Sequence, residues 1–362
     1  MSELINRHDN RATIRWKLLT GVSALALAGY VSSAGSAYAD DPTHPLIWLE
    51  LDGQFAQQKN SEELFVPSFL LASPFGGASH VNLEKAPSTI WDKGAQFTFQ
   101  PSGSDWVISA AIHYGRISRN EDHSQLISHV PSKYFYNAYQ HPISYGAESH
   151  TVVDFQVGRD VGLGKFGGDG SSVLSAGVRF AQFHSKTTVD IKSQPTNHVL
   201  YTGYYRFYAT FAAERKFSGV GPSLSWDGSA DIAGNPSAGR ITLDWGLNGA
   251  ILFGRQRTRT QHQTKENHIA WFYSQPNPPY TGFASRIPVY HASASSARSK
   301  RVTVPNVGGF AGVSLRYASA KISFGYRADF FFNPIDGGID AAKKEDRAFY
   351  GPFASISIGI GD

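Results

Sequence analysis

The chain has 362 residues, no cysteine, and a formal net charge of +4. Without cysteine it can hold neither disulfides nor thiolate metal sites, which suits an exported protein. Four cations, Arg7, Arg11, Arg15 and Lys17, oppose Glu3 and Asp9 in the first 39 residues, so +2 of the charge sits there and the remainder offers no basic stripe for nucleic acid.

The basic front end precedes an apolar run from Leu18 to Tyr30, too short to span a bilayer as a helix. Ala37-Tyr38-Ala39 then supplies a small-x-small cleavage pattern. Residues 1–39 therefore read as a cleavable secretory signal cut before Asp40, and 40–362 as one domain. No later run is long and apolar enough for a spanning helix. The chain is instead rich in Gly, Tyr and Phe and organised in alternating segments.

The first strand is LIWLELDGQF, with Ile47, Leu49, Leu51 and Phe55 on one face and Trp48, Glu50, Asp52 and Gln54 on the other. Residues 57–93 read as a long loop. GAQFTFQ and WVISAAIHYG follow as two strands joined by Pro101 to Asp105, a tight turn by composition, with His113 on the inward face. Residues 116–149 lack a clean period. TVVDFQVG resumes the alternation with Asp154 inward, and VLSAGVRFAQF places Arg179 inward opposite Leu174, Val178 and Phe180. The glycine-rich piece between them lacks the GK[ST] ending of a phosphate loop and reads as a turn.

The segment from Tyr205 to Gly228 reads as one long strand projecting past the membrane. Arg206 and Glu214 take the inward face of its first part, and Asp227 that of its second, with bulge residues at Gly219, Gly221 and Pro222. ITLDWGLNGAILFG puts Asp244 inward. Residues 255–300 form the longest segment read as irregular. Val307 to Phe332 is a β-hairpin with strict period two in both arms, with Arg316, Arg327 and Asp329 on the polar face and a link at Ala318-Ser319-Ala320. FASISIGIG closes the chain.

Strict alternation excludes helices at these positions. Arms of about ten residues match the length of a tilted strand crossing a bilayer, with lipid outside and polar groups inside. Long segments at 57–93, 116–149, 188–203, 255–300 and 333–346 alternate with short links, as external loops alternate with periplasmic turns. The expected fold is an all-β, transmembrane antiparallel up-and-down β-barrel of ten strands. Twelve follow if residues 57–93 hide a hairpin, and eight is a further alternative.

LELDGQF, GVGPSLSWDGS, GGFAGVSLRY with KISFGYRADFFF, and FYGPFASISIGIG together resemble the pore-forming outer-membrane protein family typified by the Legionella major outer-membrane protein. The resemblance covers about a third of the mature chain. It implies a porin-like barrel in a Gram-negative outer membrane, reached by signal-directed export.

Twelve residues are expected to face the lumen: Glu50, Asp52, His113, Asp154, Arg179, Arg206, Glu214, Asp227, Asp244, Arg316, Arg327 and Asp329. Buried unpaired charge is costly, so they must meet water or one another. Two functions follow, a channel for passive diffusion of small hydrophilic solutes, or a closed structural or adhesion barrel whose external loops bind partners. His113 with Asp154 imitates a catalytic pair without any supporting motif, so no enzyme, cofactor or metal site is expected. Expected partners are outer-membrane lipid and lipopolysaccharide, small hydrophilic solutes and the barrel-assembly machinery. No nucleic acid is expected, and nothing specifies the oligomeric state.

Overall fold

The computed structural model describes residues 46–59, 63–65, 81–83, 88–122, 137–161, 171–195, 204–235, 239–273, 282–317, 319–338 and 342–360. The chain divides into a unit Met1–Ser36 and a unit Ala37–Asp362, and every described residue belongs to the second. The expected signal at 1–39 lies outside the described residues.

The strands are β1 Leu46–Lys59, β2 Glu63–Phe65, β3 Val81–Leu83, β4 Ser88–Gln100, β5 Trp106–Asp122, β6 Asn137–Asp160, β7 Ser171–Pro195, β8 Tyr204–Asn235, β9 Gly239–Tyr273, β10 Gly282–Tyr317, β11 Ala320–Asp336 and β12 Lys344–Ile360. Ten of them close into an antiparallel up-and-down barrel in chain order, with β1 seated between β4 and β12. The hairpin suspected inside 57–93 exists as β2 and β3, but these form a separate two-stranded sheet and do not enlarge the barrel.

All ten barrel strands expose large apolar side chains outward, such as Phe55, Trp91, Ile108, Phe155, Leu174, Leu224, Phe253, Val313, Phe324 and Ile358. A continuous apolar belt on an otherwise polar molecule is a lipid-facing surface. Both chain ends of the barrel lie at one rim, where Ile47 pairs with Ile360. The short links are at the same rim, including 101–105, where Gly103 takes a φ of +61° that suits glycine in a tight turn. Tyr317 pairs with Ala320 across the two-residue link of the β10–β11 hairpin.

At the opposite rim the strands run much further than the sequence pattern indicated. Much of the segments read as loops at 116–149, 188–203 and 255–300 continues β5 to β10, with β9 and β10 in register from Gly282↔Tyr273 to Arg316↔Arg240 apart from one irregularity at Pro288 and Tyr290. The physical reason lies in Arg255, Gln256, Arg257, Thr258, Arg259 and Thr260. They alternate, but between exposed cations and buried uncharged polar groups, because above the lipid the outer face needs no apolar residue.

Inside, the side chains stack in layers whose order can be read along β11: Lys321, Arg327, Phe331, then Asp336. The apolar layer gathers Phe183, Phe217, Phe331 and Phe349 with Ile90, Val152, Leu252, Val304 and Ile335. Polar and charged groups occupy the lumen on either side of it. At the long-strand rim Asp336 ends β11 and pins the following loop, its Oδ1 accepting from the backbone N–H of Gly338 at 3.0 Å and Lys343 at 2.9 Å. Its Oδ2 accepts from Arg298 Nε at 3.0 Å.

Burial by itself would raise the Asp336 carboxyl, but the Arg298 guanidinium and the two backbone donors more than offset it and hold the group below its ordinary value. A depressed carboxyl contributes stability that is complete above its unfolded pKa and is lost as pH falls through the folded one. The pinned loop should therefore persist through mildly acidic pH and release only below the ordinary carboxylate range. An NMR titration of the Gly338 and Lys343 amides should give a midpoint under 3.8. A midpoint at or above that value would contradict the assignment.

Candidate functional site

The lumen holds a cavity of about 350 Å³ between the short-turn rim and the aromatic layer. Of the twelve expected lumen residues, Glu50, His113, Asp154, Arg179, Asp227, Asp244, Arg327 and Asp329 line it. Asp52 lies against it, with Oδ2 3.1 Å from Arg327 Nη1. Arg316 sits nearer the short-turn rim, its guanidinium carbon 5.8 Å from the ring centre of Trp48.

Local backbone explains how the groups meet. Asp52, Gly94 and His113 are register partners across β1, β4 and β5. A Cβ at Gly94 would collide with the Asp52 carboxylate, so glycine lets that carboxylate lie over the strand and reach inward to Arg327. His113 Nδ1 is 3.3 Å from Arg327 Nη1 and 3.6 Å from Asp52 Oδ1. It is not paired with Asp154, so the catalytic imitation considered from sequence does not form.

Asp154 is instead the bidentate partner of Arg179, at 2.7 Å and 3.0 Å. The same guanidinium donates through Nη1 to Asn248 Oδ1 at 2.8 Å and to Asn306 Oδ1, which joins β6 and β7 to β9 and β10 across the lumen. Lower down, Lys321 Nζ lies 2.6 Å from Asp244 Oδ2, and Ser314 donates to the same carboxylate. Ser225 donates to Gln156 at 2.9 Å and to Asp227 at 3.3 Å.

Glu214 requires correction. It faces outward, as does Lys216 beside it, because β8 runs from Ser193↔Phe207 to Ser171↔Ser229 against β7 with no register shift. Without the bulge expected at Gly219 to Pro222, the phase of the upper half inverts, and Phe211, Ala213 and Phe217 turn inward. That phase is favoured physically: beyond the lipid the packed interior is the apolar environment, and the outer face is water. The side chain of Arg206 lies outside the described residues.

Sequence reasoning missed the aromatic layer. Phe183 meets Phe331 at 4.8 Å between ring centres, and Phe217 and Phe349 at 6.0 Å each, so rings from β7, β8, β11 and β12 meet inside the barrel. The signal was Phe330-Phe331-Phe332, since three successive aromatics in a strand must place one on the inner face. Also missed were Asp92 with His150, at 2.9 Å, and the outer cluster in which Arg347 meets Glu148 at 2.6 Å and Glu345 at 2.7 Å.

Residues 92–360 match the family model described as Legionella pneumophila major outer membrane protein precursor. The chain belongs to this family. The Legionella outer-membrane family thus spans nearly the whole barrel, from within β4 to the end of β12. No curated protein matches the chain.

Solved structures similar to this family member include a deletion mutant of the monoaromatic hydrocarbon channel TodX, at 8% identity and a TM-score of 0.23, covering 90% of this chain and 96% of that one. The P. putida toluene transporter TodX is 9% identical at a TM-score of 0.20, covering 89% and 90%. The transport unit of the autotransporter AIDA-I from Escherichia coli is 7% identical at 0.17, covering 94% and 97%. At such scores these likenesses carry no argument about the function of this chain.

Proposed function

We propose that this family member is a porin-like channel of the Gram-negative outer membrane for small hydrophilic solutes, held closed in this conformation by its aromatic layer. The observation that carries the reading is a charged, hydrogen-bonding lumen on both sides of a single apolar layer. A barrel that needed only stability would gain as much or more from apolar filling, because buried ion pairs seldom exceed well-packed hydrophobic residues of the same volume. Charged walls are useful where water and solutes pass. Phe183, Phe217, Phe331 and Phe349 then act as a dewetted constriction.

In planar bilayers the native protein should show little steady conductance. Phe183→Ala combined with Phe349→Ala should raise it clearly and should admit small sugars in a liposome-swelling assay. Each truncation also costs about 3–5 kcal/mol of packing, so retention of heat-modifiable gel mobility must be checked alongside. A folded double variant without added conductance would sink the channel reading.

One observation favours a second reading in that event. β8, β9 and β10 have 32, 35 and 36 residues, far beyond the roughly ten needed to cross a bilayer, so the barrel would serve to raise a surface for adhesion.

A further inference from the structure

The outer face of β7 to β10, immediately beyond the apolar belt, carries charges that the lumen does not use. The highest row of exposed apolar residues there is Phe180, Val220 and Phe253, which are register partners. Two residues further along the same faces lie Ser218, Arg255 and Arg301, register partners in turn. The next row pairs His184 with Lys216 and Lys216 with Arg257. Above it, Lys186 pairs with Glu214 and Glu214 with Arg259.

Six cations, Lys186, Lys216, Arg255, Arg257, Arg259 and Arg301, thus stand exposed on one outer surface with one neighbouring carboxylate, Glu214, among the described side chains. Glu214 is already engaged by Lys216 at 2.6 Å, a contact that holds its carboxyl below the ordinary value. Burial and the adjacent Lys216 lower His184, so it adds no charge at neutral pH. None of Arg255, Arg257, Arg259 and Arg301 has a carboxylate partner among the described side chains.

Like charges directly opposite across paired strands are destabilising, and here they occur twice, in Lys216↔Arg257 and Arg255↔Arg301. Such an arrangement needs an anion. Glu214, Lys216, Arg257, Arg259 and Ser299 surround a cleft of about 360 Å³. At about 3.3 Å per residue along a tilted strand, the three rows cover the first 10–15 Å or so beyond the hydrocarbon, which is the headgroup level of the leaflet at the long-strand rim.

We infer that this face is a binding site for the phosphate groups of a phosphorylated glycolipid in the outer leaflet, of the lipopolysaccharide type, with the acyl chains lying along Phe180, Val220 and Phe253. Arginine suits the role, since its planar fork meets phosphate oxygens bidentately. The acyl contact accounts for the patch starting at the belt rather than at the strand tips. The site lies outside the lumen, so it does not depend on whether the barrel conducts.

The test uses the full-length protein in nanodiscs titrated with bisphosphorylated lipid A, with dephosphorylated lipid A, with inorganic phosphate and with a soluble sulfated polysaccharide. Lipid A should bind with a strong salt dependence, the dephosphorylated form should bind weakly, and millimolar phosphate should not compete. Arg255→Gln with Arg257→Gln and Arg259→Gln should weaken lipid A binding on the order of a hundredfold, at about fivefold per surface cation. The corresponding triple Lys variant, folded by gel mobility, should lose clearly less than the Gln variant, because it keeps the charge and gives up only the bidentate fork. The inference is overturned by equal binding of dephosphorylated lipid A, by preference for the polysaccharide, by undiminished binding of the Gln variant, or by equal loss in the Lys variant.

Discussion

Replacing Arg347 with alanine should destabilise the folded barrel by about 3–5 kcal/mol, because it removes a buried guanidinium paired with two buried carboxylates. Arg347 is 1% exposed, and its partners Glu148 and Glu345 are equally enclosed. The contact with Glu148 links β12 to β6, strands that are not neighbours in the barrel, so it braces the interior beyond the aromatic layer. Losing the guanidinium removes an attraction that Glu148 and Glu345 share. The expected readout is a lower temperature for the shift from compact to unfolded gel mobility, together with a lower urea midpoint. Arg347→Met combined with Glu148→Gln should recover most of the loss, since one charge of each sign is removed and the net buried charge stays as it was. A loss of about 1 kcal/mol or less in the single variant would mean that water reaches the cluster as it does an exposed pair.

What could be read from sequence follows from where the environment imposes a pattern. Within the bilayer, lipid demands apolar residues on alternate positions, so Val313, Leu315, Ile322, Phe324 and their partners announced both the β10–β11 hairpin and its register. The ten-strand barrel followed from repetition of that pattern. Beyond the bilayer the demand lapses, and Arg255 to Thr260 continue a strand that no hydrophobic period betrays. Glu214 was misplaced for a related reason: an apolar residue faces out in lipid but in above it, and nothing local marks where the rule inverts. Pairings across the lumen are a separate matter. Arg179 and Asn306 are 127 residues apart, and closure of the barrel brings them together. The outer cationic face has the same origin, since its charges come from four strands aligned by register.

Arg179→Met should lower stability by about 3–5 kcal/mol if the lumen around it is dry, and by about 1 kcal/mol or less if it is wet. Burial favours the larger figure: Arg179 is 6% exposed and Asp154 9%, and the guanidinium has four acceptor contacts. Removal leaves Asp154 without its partner and Asn248 and Asn306 without a shared donor. The double variant Arg179→Met with Asp154→Leu removes both charges at similar volume and should regain most of the loss. The same pair of variants bears on conduction. Arg179 lies four residues before Phe183 on β7, so its loss alone should leave the barrel closed while Phe183 and Phe349 remain. Combined with the two phenylalanine truncations, it should raise conductance above that of the truncations alone. Conductance appearing on loss of Arg179 with the phenylalanines intact would move the constriction from the aromatic layer to the ion pair.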